Sequence, residues 1–208
     1  MQRTTLMMIL TLCFSCSIND NLYLTRGYTP DKKIGNFIVS IDGDKAEVFI
    51  LRREESQVVK EEYELLQQSD RQYADSNMIL TIDRNGSTIK WDENLYTLNE
   101  VKRKNNRQTT LPKIEHLIEN NYIVWANQHQ ITDHDLRSDS ICYIFSRPDK
   151  EPYDTINWFL LTVADEYFLT FNNISNSIPR VELKKGTMYM TQCGGNECIE
   201  YEAKLKAK

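Results

Sequence analysis

The sequence predicts a mostly β protein: an antiparallel sandwich or an open lipocalin-like barrel with one short helix. Three observations carry that prediction. Short runs rich in Val, Ile, Thr and aromatic residues recur from Ile34 to Leu205. Turn-forming residues punctuate them. A helical period that nothing in the β reading contests occurs only near 111–120. With 208 residues, 40% hydrophobic and 26% charged, the chain has an ordinary globular composition. That excludes a polytopic membrane protein, a collagen-like chain and a disulfide-dense miniprotein, each of which needs a bias this chain lacks.

From Ser17 to about Lys33 the chain is polar without a sustained period, which reads as a tether. Folding is expected to begin near Ile34. Phe37–Ile41 and Ala46–Leu51 flank Asp42-Gly43-Asp44-Lys45, a hairpin signal, and too few oxygen ligands lie nearby for Asp42-Gly43-Asp44 to be a calcium loop. Val58–Leu66 alternates at Val59, Glu61, Tyr63 and Leu65, which favours a strand over a helix. Met78–Ile82 and Ser87–Trp91 form a second hairpin around Asp83-Arg84-Asn85-Gly86, where Asn-Gly suits the positive φ angles of tight turns. Leu95–Leu98 continues the β pattern, and the polar stretch from Lys102 to Thr110 reads as a loop.

Leu111–Asn120 has Pro112 at its start and apolar residues at 114, 117 and 118, which predicts a short amphipathic helix. Strand character resumes at Tyr122–Trp125, Ile141–Phe145 and Ile156–Val163. The last is apolar on both faces, as in a central strand, and turns at Ala164-Asp165-Glu166 into Tyr167–Phe171. Val181–Leu183, Thr187–Thr191 and Ile199–Leu205 complete a meander.

The first residues have a different character. Arg3 precedes the apolar run Leu6–Phe14, which has the layout of a signal peptide and is too short to span a bilayer. Cys13-Phe14-Ser15-Cys16 resembles the lipobox of bacterial lipoproteins, with a small residue before a cysteine that becomes acylated. The resemblance implies that 1–15 is a signal peptide and that 16–33 is a lipidated N-terminus with its tether. The strand pattern makes 34–208 the antiparallel β domain, with a possible subdivision near 105. The resemblance makes Cys16 the anchor, and Ser17 after it leans toward the outer membrane, on its periplasmic or surface face. A conventional cleaved secretion signal is the alternative. Acyl chains at about 0.8 kcal/mol per buried CH₂ would hold such a protein firmly.

Export implies an oxidising compartment, in which Cys193-Gly194-Gly195-Asn196-Glu197-Cys198 is expected to close a short disulfide loop, while Cys142 reads as a small buried hydrophobe. The densest polar cluster is His129-Gln130-Ile131-Thr132-Asp133-His134-Asp135. His and Asp can ligate a metal or relay protons. The five-residue offset of the histidines suits neither strand nor helix, so a solvated loop is expected, with a metal or catalytic site the alternative. The basic run Lys102, Arg103, Lys104 and Arg107 reads as a solvated loop too. The chain contains no Gly-x-Ser-x-Gly elbow, Walker A loop, Gly-x-Gly-x-x-Gly turn or His-Glu-x-x-His helix. A net charge of −5 disfavours nucleic acid. Neither a cofactor nor a metal is expected.

The sequence thus leads to a lipid-anchored envelope lipoprotein acting as a binding module, with a small apolar ligand in one form of the expectation. The alternatives are an inhibitor or assembly factor that binds an envelope protein, and an envelope hydrolase using the 129–135 segment.

Overall fold

The computed structural model describes residues 21–54, 57–102, 110–126, 131–147, 151–171, 178–194 and 197–208. It is mostly β, with one helix among the described residues, and every strand pairing is antiparallel. The first sheet is a closed barrel of β1 (Asn21–Tyr28), β2 (Ile34–Asp42), β3 (Lys45–Glu54), β4 (Gln57–Ser69), β5 (Gln72–Ala74), β6 (Met78–Thr81), β7 (Ser87–Trp91) and β8 (Asn94–Lys102). Each strand pairs with the next, and β1 returns to β8 through Leu22↔Val101 and Leu24↔Asn99.

Helix α1 (Leu111–Asn120) follows. The second sheet then contains β9 (Asn121–Ala126), β10 (Ile131–Leu136), β11 (Ile141–Ser146), β12 (Asp154–Val163), β13 (Glu166–Phe171), β14 (Arg180–Lys184), β15 (Thr187–Gly194), β16 (Glu197–Glu202) and β17 (Lys204–Ala207). Its spatial order runs from β16 back through β9 to β17. Because β16 and β17 are consecutive in the chain, its two edges are joined across Ala203 and the sheet is nearly closed. This is a barrel-like, lipocalin-like architecture, not a sandwich.

The alternation of side chains explains the layers. Phe37, Val39, Val48 and Ile50 fill the first barrel, together with Tyr23, Leu80 and Ile89. Leu22, Leu24, Ile38, Phe49 and Leu51 point outward and form a separate cluster with Val163, Phe168 and Cys193 of the second sheet. The interior of the second sheet is lined by Leu136, Ile144, Leu169, Met188 and Met190, and α1 adds Ile114 and Ile118 next to β9 and β10.

The expected tether is corrected by β1, which starts at Asn21, well before Ile34. This segment is buried on both faces, Tyr23 in the barrel and Leu22 and Leu24 against the second sheet, so the simple in/out alternation of a half-exposed strand does not apply. A close approach fixes Gly27: a Cβ there would lie 2.7 Å from a ring carbon of Tyr96, whose hydroxyl donates to the Tyr28 carbonyl at 2.5 Å. The 78–91 hairpin forms, with a longer connection than Asn-Gly alone suggests. Gly86 has φ +141° while the Asp83 carboxylate accepts the Asn85 N–H at 2.9 Å. Tight two-residue turns occur instead at Ala164–Asp165 and Lys185–Gly186, with positive φ at both positions of each.

Candidate functional site

Cys16, His129 and the basic residues Arg103, Lys104 and Arg107 lie outside the described residues. Cys193 and Cys198 form the expected disulfide, bridging directly opposed positions of β15 and β16 with a Cα–Cα distance of 4.0 Å. Cys193 packs in the cluster between the two sheets, and Cys198 Sγ sits 3.7 Å from the Leu24 carbonyl oxygen. The described cysteines leave Cys142 as the free thiol, fully buried.

The solvated loop expected around Asp133, His134 and Asp135 is overturned: these residues are buried in β10. Asp133 and Asp135 share the outer face and are neutralised there. Arg147 donates to Asp133 at 2.7 and 3.0 Å and Lys206 at 3.1 Å, while Asp135 pairs with Arg137 at 3.1 Å and Lys208 at 2.6 Å. Burial alone would raise the Asp133 pKa, but the bonds from Arg147 and Lys206 hold it below the usual carboxylate value.

His134 points the other way, into the second sheet. Burial, partly opposed by Asp133, pushes its pKa down to about 4. Its Nδ1 lies 3.9 Å from Cys142 Sγ, and burial followed by the charge of Asp135 pushes that thiol up to about 12. Both groups are therefore neutral near pH 7, the reverse of an activated thiolate–imidazolium pair. Among the described residues no group of three His, Cys, Asp or Glu side chains could hold a metal ion. Of the 129–135 segment the structure describes 131–135, and within it the two carboxylates and the imidazole of His134 occupy opposite faces of one strand.

A cavity of about 370 Å³ instead opens at the seam of the second sheet. The joining strand pairs with β9 only from Lys204↔Val124 to Ala207↔Asn121, whereas β16 stays with β15 as far as Tyr189↔Glu202. Beyond Val124 the sheet edges part, and Trp125, Met190 and Tyr201 line the gap with Ile123 and Ala203. Trp125 is the hub of an aromatic cluster, with ring centroids 6.4 Å from Tyr201, 6.4 Å from Phe171 and 5.7 Å from His134.

Two hydrogen-bond donors of this cavity have poor acceptors or none. The Trp125 indole N–H is buried with no partner among the described residues. Tyr201 reaches only the Gln192 side-chain oxygen at 3.5 Å and Met190 Sδ at 3.7 Å, both long. Burial pushes the Tyr201 phenol up to about 12 and keeps it protonated. Neutral His134 stands behind Trp125, and charged Glu202 and Lys204 stand at the rim. Sequence reasoning missed this site because Ile199–Leu205 keeps a single alternating phase; the one signal was Ala203, the small member of the row Ile199, Tyr201, Ala203 and Leu205.

The chain matches no protein-family model, no curated protein and no solved structure at a significant level.

Proposed function

We propose that this protein is an exported, lipid-anchored envelope lipoprotein whose second sheet binds a small, mainly apolar ligand carrying a hydrogen-bond acceptor. One observation carries the binding reading: an aromatic-lined cavity at an open seam, with a Trp donor unsatisfied and a Tyr donor only weakly satisfied. Its volume lies within the roughly 300–1,000 Å³ of small-molecule pockets. Aromatic walls supply the apolar contact, and a ligand acceptor would relieve the cost of a buried, unpaired N–H.

The anchor reading rests on Cys13-Phe14-Ser15-Cys16. The stretch from Cys16 to the start of β1 at Asn21 spans at most about 18 Å when extended, so an acylated Cys16 would hold the first barrel close to the bilayer surface.

Both parts are tested on one preparation, the protein extracted from membranes and analysed by native and intact mass spectrometry after exposure to a lipid extract. A mass starting at Cys16 plus acyl chains is expected, with a further non-covalent species that Trp125→Phe weakens about tenfold. An unacylated product cleaved elsewhere would defeat the anchor. A wild-type protein that takes up nothing would defeat the ligand.

A further inference from the structure

A second cavity, of about 570 Å³, lies between the first barrel and the outer face of β14–β16. One wall belongs to a chain of charges on the second sheet. Arg180 is 2% exposed; it donates from Nε to Glu166 at 2.7 Å and from Nη1 to Glu182 Oε2 at 3.1 Å. Lys184 lies 3.6 Å from the same Glu182 oxygen and 2.5 Å from Glu200. Burial opposes the Arg180 charge, yet Glu166 and then Glu182 hold its pKa above the ordinary arginine value.

The charges thus alternate in sign along Glu166, Arg180, Glu182, Lys184 and Glu200. One acceptor in this row is left open. Glu182, with a side chain only 6% exposed, lines the cleft, and its Oε1 is buried with no partner among the described residues. A carboxylate oxygen taken from water without a donor is costly. Elsewhere in the lining Asp83 and Glu100 outnumber Arg84, so the cleft as a whole is acidic. Val101, half-buried on the outer face of the first barrel, adds an apolar side chain to the same cavity.

We propose that this cleft is a binding site for an organic cation, a primary alkylammonium group. Its N–H donors supply Glu182 Oε1 with the missing partner, and its methylene chain lies against Val101 in the wall of the first barrel. The site is independent of the seam cavity. A metal ion fits less well, because the described carboxylates do not converge into a set of ligands. An ammonium needs only one carboxylate at hydrogen-bond distance and an acidic surround.

The test is calorimetric titration of the whole protein with pentylammonium chloride, with 1-pentanol as the uncharged control. Saturable binding is expected for the ammonium and not the alcohol, weakened about tenfold by Glu182→Gln and unaffected by Trp125→Phe in the other cavity. Since Glu182 also supports Arg180, Glu200→Gln provides a second variant at a more exposed position. It is expected to weaken binding several-fold while leaving the circular dichroism unchanged. Absence of saturable binding to the wild type, equal binding of the alcohol, or binding indifferent to both Glu variants would each overturn the proposal.

Discussion

His134 shows how one side chain ties the interior of the second sheet to pH. Its ring sits 5.7 Å from Trp125 and 6.0 Å from Phe171, with Thr132 Oγ1 3.1 Å from Nε2. Burial holds its pKa at about 4 in the folded chain, against 6.5 for an ordinary histidine. Between those values the unfolded chain binds a proton that the folded chain refuses. Stability is therefore complete above pH 6.5 and falls as pH drops toward 4, by roughly 3 kcal/mol for a shift of this size. Asp133 acts in a lower window: its depressed pKa gives stability that is present above 3.8 and lost only as pH falls through its lower folded value. Urea denaturation from neutral pH down to about 4.5 should show the His134 loss. His134→Leu should flatten the curve in that range while leaving the steeper loss at lower pH. A wild-type midpoint constant across the window would contradict this account.

Among the elements, the β15–β16 hairpin carries a covalent link whose effect extends beyond its own loop. The Cys193–Cys198 bridge closes a short loop, for which the chain-entropy account gives about 2 kcal/mol. Because Cys193 packs with Leu22 and Leu24, loosening the hairpin should also loosen β1. The double variant Cys193→Ser, Cys198→Ser is expected to lose about 2 kcal/mol in denaturant and to speed amide exchange in β1 before β3. An unchanged midpoint with unchanged exchange would show that the bridge stabilises nothing. Hairpins of this kind were legible in the sequence wherever apolar alternation met a turn signal, as at Phe37–Leu51 and Ile156–Phe171. Three strands were hidden: the three-residue β5 is too short to show a period, and the other two were hidden for opposite reasons. In β1, burial on both faces erased the alternation. In β10, Asp133 and Asp135 read as polar loop residues because three of their cations, Arg147, Lys206 and Lys208, come from elsewhere in the chain. The disulfide was legible from the spacing of Cys193 and Cys198 around a Gly-Gly turn signal. The seam cavity was not, since it depends on one strand changing neighbours at Ala203, a long-range choice that local periodicity does not encode.

On the scale of the whole molecule, closure decides which surfaces remain. Among the described residues the first sheet has no edge strand and β17 covers part of the seam in the second, so edge-to-edge pairing with a partner chain has little to work with. The two sheets meet through an apolar cluster and, beside it, buried Arg180, which sits opposite Phe168 in the register of β13 and β14. All the hydrogen bonds of Arg180 described above stay within the second sheet, to Glu166 and Glu182. Removing it should take from buried Glu182 and half-buried Glu166 the cation they share in that sheet while sparing the interior of the first barrel. Arg180→Ala is accordingly expected to cost about 3–5 kcal/mol, the range for breaking a buried ion pair from one side. Replacing the triad with Arg180→Met, Glu166→Leu and Glu182→Leu should recover most of that loss, because no charge is left buried alone. The same triple variant would remove the carboxylate that the cleft offers to an ammonium ion. Hydrogen exchange separates the effects by location: in Arg180→Ala, amides of β13–β15 should lose protection first while those of β2–β4 stay slow. Equal loss of protection in both sheets would instead mean that they unfold as one cooperative unit, with Arg180 acting as a clamp for the whole molecule.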